Sequence, residues 1–592
     1  MDGFPADAPR VRSRNGSCQY ATFVLTISTP VIHLLHSGRF KLLGRSSQRI
    51  MAAACATMLL IATGYVAAQE QPAKLTRGQL VSDAKVFFGD LEATHPDPYT
   101  NLGGKVAFKK KAEQLIRDLP ADGLRSPEFT DRLSAFLAPL KDGHTRMRGA
   151  RERWQDPAPK LAVQFQIASD GLLISSFDLP ELNGTRGYKL LAVNSHSVSG
   201  LMSRMAAEVA TENDYGTYVG LTIALRSSKL LKNLLPDLDG AEGVTYQLQA
   251  PDGSAITRKL SWDGEHPAEP EKWAVKPERH SPFEHSDEDF YYRFLPSGES
   301  AYLRIANMMP REGYEIIQKY HVGNLKEFLD QYYSSRKKQQ PSDPEEAMRG
   351  IPSLFEIATN LLHEMKKKNT ANLIIDFRGN GGGSTPTIAP FFYEMYGDAY
   401  FGRHSEAEFL QVKSPLYLAK YNTSVEQEKE KDPNFELGEY EFTGNEPGTP
   451  QEKRNKKLSE WKEKGMSFVP ALEALDGKPL YTPKKVIVLC DAGTFSAAFQ
   501  ATFILHEMGA KLVGVPPAQS PNAFMEATEF VLPASGIKGY ISNGMQLYVP
   551  NDPRVNTLHP DFETTFATFI KYQADEDTPV RFALDLLAAA QM

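Results

Sequence analysis

Cysteine is almost missing from this chain: three in 592 residues, of which Cys18 and Cys55 fall within the first 68 and only Cys490 lies beyond them. That excludes a disulfide framework past residue 68, and with it a Cys-rich zinc site. Cys490 closes an apolar run and reads as a small buried hydrophobe. The sequence also lacks a His-Glu-x-x-His pair and any other grouping of Cys or His at ligand spacing, so we expect no metal and no cofactor. A basic excess is absent as well. Residues 1–68 carry seven Lys or Arg against two Asp, so the remainder holds a net −12 against −7 for the whole chain, which excludes a nucleic-acid partner. Past residue 68 no apolar run is long enough to span a bilayer.

What is present is the composition of an ordinary soluble protein, 41% hydrophobic and 23% charged, long enough for two or three domains. The stretch "MAAACATMLLIATGYVAAQE", behind Lys41, Arg45 and Arg49, has the pattern of a secretory signal with cleavage after Ala68. It predicts a secreted or periplasmic protein that meets a membrane only through an uncleaved leader. A second apolar run, "ATFVLTISTPVIHLL", precedes it, so either the leader is bipartite or the start lies too early.

The periodicity divides the chain after that leader, 1–68. Residues 69–153 have helical spacing, as in "LTRGQLVSDAKVFFGDLEATH", and end on "LKDGHTRM". Residues 154–265 are strand-rich, with "KLAVQFQI", "GLLISSF", "GYKLLAVN" and the hairpin pattern "VTYQLQAPDGSAITRKLSW" around a helical stretch. A Pro- and charge-rich linker covers 266–288. From 289 to 592 short apolar runs ("AYLRIANM", "NLIIDF", "KVIVLC", "KLVGV") alternate with helical patterns, the mark of an α/β fold with a mostly parallel sheet. An insertion at 404–480, rich in Lys, Glu, Asn and Pro, predicts either a solvated surface excursion or a lid.

Three segments carry candidate chemistry. In "KVIVLCDAGTFSAAFQATFILHEMG" a strand turns into a helix and places Ser496 in the first turn, where the N–H of Ala497 is free to stabilise an oxyanion. Capping the helix is the plainer use of such a serine. In "NLIIDFRGNGGGS" the glycines 379, 381, 382 and 383 let the backbone approach a ligand, and Gly381 or Gly382 can supply a second oxyanion donor. Ser384 stands where a dinucleotide motif needs its third glycine, and no Gly-Lys-Ser/Thr follows. A serine nucleophile needs a base. His506 lies ten residues further on the same helix, about 15 Å away and out of reach. His144 in "LKDGHTRM" follows a helix and a glycine, a rigid support for a projecting ring.

"NLIIDFRGNGGG" and "KKVIVLCDAGTFSAAFQATFILHEMGAKLVGV" resemble the two core motifs of the tail-specific (C-terminal processing) peptidase and tricorn-core superfamily. "LEATHPDPYTNLGG" and "LKDGHTRM" resemble the helical N-terminal part of its tricorn-like branch, and "EFVLPASG", "LHPDFETTF" and "YQADEDTPVRFALDLL" its closing segments. The resemblance implies a serine peptidase on a crotonase-like (ClpP/crotonase) α/β core, acting on peptides or proteins. By position it makes Ser496 the nucleophile and the N–H groups of Ala497 and of Gly381 or Gly382 the oxyanion hole. One branch uses a lysine as base, but the matching stretch "VPPAQSPNAF" has none. The tricorn-like branch uses a histidine, which transfers to His144. Its neighbouring serine is replaced here by Gly143, and Phe499 stands where the Ser-Lys branch often has an acidic residue. A C-terminal carboxylate completes that tetrad, with Asp561 and Glu563 as nearest matches. "RGYKLLAVNSHSV" resembles a PDZ strand and turn, with Tyr188 in place of Asp, and implies a PDZ-like middle domain. Two rival functions share the same core, a ligand-binding protein without catalysis and an esterase or amidase of small molecules.

Overall fold

The four apolar runs of the C-terminal half lie side by side as parallel strands in the computed structural model of the protein. They belong to a six-stranded sheet that runs, in spatial order, Phe562–Glu563, Lys511–Gly514, Lys485–Cys490, Asn372–Asp376, Ser300–Ile305 and Phe290–Phe294, the last antiparallel to its neighbour. Their uninterrupted apolar character follows from burial on both faces. Leu373, Ile375, Val488 and Leu512 pack with Phe499 and with Leu361 and Leu362 of the helix Leu354–Lys368; on the other face Ile374, Ile487, Leu489 and Val513 meet Val580, Ala583 and Leu586 of the helix Thr578–Ala588. The protein is thus a mixed α/β fold. The structure describes residues 11–13 and 74–589 apart from 149–160, 239–241, 263–269, 277, 322–323, 403–406, 445–446 and 553–554. The proposed cleavage point after Ala68 lies outside the described residues. Among those described, no helix is long and apolar enough to cross a membrane.

A second sheet, antiparallel apart from the parallel pair Val11–Ser13 and Tyr440–Thr443, carries the other half of the site. It includes the hairpin Asn522–Val531 and Lys538–Leu547, with Asn522–Val531 at its edge. The short strand Arg146–Met147 pairs with Lys538–Leu547, which fixes the chain just after His144 against the α/β part. The N-terminal helices Arg77–Thr94, Lys105–Arg117 and Ser126–Leu137 share one core with that hairpin, in which Phe87, Phe108 and Phe129 meet Phe530 and Ile541.

The middle region forms a third sheet, ordered Val163–Ala168, Gly171–Phe177, Lys189–Val193, Gly243–Gln249 and Ala255–Ser261. All of these pairings are antiparallel, and the last is a hairpin that turns at Asp252-Gly253, where glycine takes φ +87°. The helices Val198–Glu208, Asp214–Ala224 and Ser228–Leu234 cover one face of it through Leu201, Leu221 and Leu231.

The 404–480 insertion differs from the expected surface excursion. Its strands Glu408–Val412 and Tyr440–Thr443 extend the second sheet beside Lys538–Leu547. Its helix Pro450–Glu463 buries Leu458 and Trp461 against Tyr393 of the core. The charged sequence hides these contacts because its apolar residues are few and widely spaced.

Candidate active site

The strand Lys485–Cys490 gives way to Asp491–Phe495, and the helix Ala497–Glu507 begins directly after Ser496. Two side chains shape this turn. Asp491 Oδ1 accepts the N–H groups of Gly379 (2.8 Å) and Gly493 (2.9 Å), while Thr494 Oγ1 donates to the Phe377 carbonyl (3.1 Å) and accepts the Asp491 N–H (3.0 Å). Burial of Asp491 pushes its carboxyl up, against the pull of the Gly379 N–H. Ser496 itself sits at φ +54°, ψ −125°, a conformation L residues rarely adopt, and its side chain makes no capping bond. The capping use of this serine is therefore not the one found. A hydroxyl held at a strained strand-to-helix turn is the arrangement that exposes a nucleophile to one side of a sheet.

The glycine loop lies against that turn. The Phe495 N–H donates to the Asn380 carbonyl (2.9 Å), and Gly382, at φ +101°, comes so close that a Cβ there would lie 2.6 Å from Ser496 Cβ and 3.0 Å from Ala497 N. Only glycine fits. Of the two expected donors the geometry separates one: the Gly382 N–H is committed to Asn380 Oδ1 (2.9 Å), whereas among the described residues no acceptor faces the N–H of Gly381 or of Ala497. Asn380 is fully buried and also donates to the Ile305 carbonyl (2.9 Å), so one side chain sets the loop.

His144 reaches this place from the N-terminal part of the chain. Its Nε2 is 3.3 Å from Ser496 Oγ, and its ring stacks on Phe495 with centroids 4.8 Å apart. Both residues are buried. Asp142 Oδ1 accepts the His144 backbone N–H (2.8 Å), and Asp142 Oδ2 meets His95 Nε2 (3.2 Å). Because His95 Nδ1 accepts the Asp97 N–H (3.1 Å), the bond to Asp142 assigns the His95 proton to Nε2. On the Nδ1 side of His144 stands Glu212, its Oε1 3.8 Å away. The same Oε1 accepts the Gly143 N–H (3.3 Å), and Oε2 accepts the Ser520 N–H (2.7 Å). The preceding residue, Gln519, accepts the Ser496 N–H through Oε1 (2.5 Å).

The two carboxylates beside His144 are driven apart. Burial opposes ionisation of Asp142, yet the hydrogen bond from His95, with His144 and the Thr145 side chain beside it, holds its carboxyl well below the usual range. Burial pushes Glu212 well above that range; the Ser520 N–H pulls the other way, and the charge of Asp142 adds to the rise. Unequal neighbouring carboxyls of this kind cluster at functional sites. Asp142, His144 and Glu212 also form the one grouping among the described residues whose ligand atoms lie close enough to hold a metal, within 4.8 Å of one another. Their oxygens are turned to N–H donors and to His95, and His144 Nε2 to Ser496, which is no cation cage.

The expected tetrad carboxylates do not belong here. Asp561 binds Lys511 Nζ (2.7 Å) and the Leu512 N–H (2.9 Å), and Glu563 binds His559 Nδ1 (2.7 Å), because both lie around the edge strand Phe562–Glu563. The serine missing before His144 has a physical reason: a Cβ on Gly143 would lie 2.8 Å from the Phe495 ring and 3.1 Å from Glu212 Oε1. Phe499 is a core residue. Cys490 is buried, with its thiol pushed well up by burial. His506 faces Asp561 at 3.5 Å, away from Ser496 in bonding. Sequence reasoning missed Asp142, Asn380, Gln519 and Glu212. The first two stand inside the motifs already singled out, "KDGHT" and "RGNGGG"; the other two carry no local signal.

Residues 356–522, which span the glycine loop, Ser496 and Ser520, match the model of peptidase family S41. Over that segment, less than a third of its length, the chain is similar to family S41. By that match the protein is a serine-type peptidase. No curated protein matches the sequence. Among solved structures, mature CPAF complexed with lactacystin shares 15% identity at a TM-score of 0.49, covering 86% of this chain and 97% of that one. The photosystem II D1 C-terminal processing protease shares 14% at 0.33 (82% and 92%), and the tricorn protease 11% at 0.32 (86% and 36%). The S41 match begins at residue 356, so His144 and Glu212 both come from outside the matched segment.

Proposed function

We propose that the protein is an exported serine peptidase that hydrolyses peptide bonds through an acyl-enzyme on Ser496, with His144 as general base. One observation carries the reading: 3.3 Å between His144 Nε2 and Ser496 Oγ, across 352 positions of chain, at a turn that gives the hydroxyl no capping role. His144 Nε2 takes the Ser496 proton as Oγ attacks the substrate carbonyl. The N–H groups of Ala497 and Gly381 receive the oxyanion, His144 returns the proton to the leaving amine, and water repeats the sequence to release the acyl group. Gln519 fixes the backbone N–H of the nucleophile, and Asn380 fixes the glycine loop. The absence of lysine from residues 515–524 and the approach of His144 favour the tricorn-like Ser-His branch.

A crotonase-like core is supported by the parallel sheet with helices on both faces. A PDZ-like middle domain is supported by the third, antiparallel sheet, in which Val163–Ala168 is an edge strand. Export rests on the leader sequence "MAAACATMLLIATGYVAAQE" and its pattern for cleavage after Ala68, which directs the protein to the periplasm or the medium.

A fluorophosphonate probe tests the nucleophile. It labels Ser496 in the parent and fails on Ser496→Ala and His144→Ala, and peptide turnover in both variants falls by about 10³-fold or more. Ser496→Ala hydrolysing peptides as fast as the parent overturns the proposal. Turnover of small esters with no cleavage of any peptide makes the protein an esterase or amidase instead. Tight uptake of an apolar ligand by a protein that the probe never labels makes it a binding protein.

A further inference from the structure

We propose that Glu212 is the positioning residue for His144, so that the base is oriented only while the middle lobe is docked on the α/β core. This rests on the Ser496–His144 reading above. Glu212 lies between the helices Val198–Glu208 and Asp214–Ala224 of the middle lobe, and only 2% of its side chain is exposed. A carboxylate this buried needs partners that justify it. Its partners all belong to the catalytic surroundings: His144 Nδ1 at 3.8 Å, the Gly143 N–H and the Ser520 N–H. With Nε2 facing Ser496, the His144 proton belongs on Nδ1, toward Glu212 Oε1, and it is there that positive charge develops when the imidazole takes up the serine proton. A separation of 3.8 Å closes to a hydrogen bond once substrate fills the site. Asp142 is engaged on other groups, its Oδ1 with the His144 backbone N–H and its Oδ2 with His95 Nε2.

The link to lobe docking is the next residue. Asn213 Nδ2 donates to the carbonyls of Pro517 (2.9 Å) and Asn556 (3.1 Å), while its Oδ1 caps the helix Asp214–Ala224 through the N–H groups of Tyr215 and Gly216. The stretch Pro517–Ser520 therefore holds the helix cap at one end, the Ser496 N–H through Gln519 in the middle, and Glu212 at the other end. If the middle lobe shifts, Glu212 leaves His144 and the loop that supports Ser496 loses its clamp.

Two variants of the full chain test this. Glu212→Gln keeps shape and one acceptor oxygen but puts an amide donor in place of the second acceptor; kcat should fall by about 10²- to 10⁴-fold with KM within about twofold, and fluorophosphonate labelling should slow in parallel. Asn213→Ala leaves every reacting group in place and should lower kcat by about tenfold or more, with faster protease nicking between the middle lobe and the core. Glu212→Gln with the parent's kcat overturns the proposal, as does a Glu212→Gln whose loss lies wholly in KM. If Ser496→Ala and His144→Ala are inactive while Glu212→Gln is fully active, only the positioning role fails. If Ser496→Ala is active, the underlying Ser-His reading fails instead.

Discussion

Ser496 is held where a glycine would rest more easily. At φ +54°, ψ −125° an L side chain costs on the order of 1–3 kcal/mol, retained only because the surrounding bonds fix the turn. Those bonds are the Asp491 cradle, the Phe495–Asn380 link and the Gln519 acceptor. Both Ser496→Gly and Ser496→Ala remove the nucleophile, but only glycine relieves the backbone. We therefore expect Ser496→Gly to be more stable than Ser496→Ala by roughly 1 kcal/mol in denaturant titrations, after the extra freedom of an unfolded glycine offsets part of the gain. Equal stabilities would mean that the turn is not strained. The residues of this turn were legible in the sequence because strand, turn, small residues and helix follow one another locally. His144 was legible through its short motif. Glu212 was not, since a polar pair inside "ATEN" has no spacing relation to a histidine 68 positions earlier. Asp561 and Glu563 misled for the converse reason: their place in a family pattern said nothing about Lys511 and His559, which claim them.

At the scale of elements the insertion 404–480 is the least legible part and one of the more firmly built. Its helix Pro415–Lys420 sends Lys420 to Glu526 Oε2 at 2.8 Å, with 11% and 2% of the two side chains exposed. Glu526 lies in the strand Asn522–Val531 at φ +60°, opposite Asn543 between the pairs Met525–Gly544 and Ala527–Ser542, where the ladder is interrupted without a change of register. Removing one partner of a buried pair leaves the other charge poorly compensated, and replacing both is far less harmful. Lys420→Met should cost about 3 kcal/mol of stability, and Lys420→Met combined with Glu526→Met should recover much of it. A double-mutant cycle with no coupling would show that the insertion is held by its strands and by Trp461 alone.

The whole molecule is closed by charge between segments far apart in the chain. Asp376, at the end of the strand Asn372–Asp376, binds Arg378 and Arg304. Arg378 reaches on to Asp577 Oδ1 (3.2 Å), and Asp577 Oδ2 holds His285 Nε2 (2.7 Å). Arg279 and His280 bind Glu576 and Asp575 in the same way, so the Pro-rich stretch before the core is pinned to the C-terminal segment rather than left free. Burial opposes ionisation of Asp376, but the two guanidiniums bring its carboxyl down to about 2; Asp577, also buried, is held well below its usual range by His285 and Arg378. A carboxyl depressed in the folded state stabilises the fold above its unfolded value near pH 3.8, and that contribution disappears as pH falls through the folded value. Asp577→Asn should therefore be less stable than the parent by roughly 2 kcal/mol at pH 6. The gap should narrow steadily below about pH 4, as the parent's own Asp577 takes up a proton. Denaturant unfolding at pH 6 and at pH 2.5 decides it: a gap of the same size at both would mean that the charge of Asp577 does not hold the C-terminal segment to the sheet.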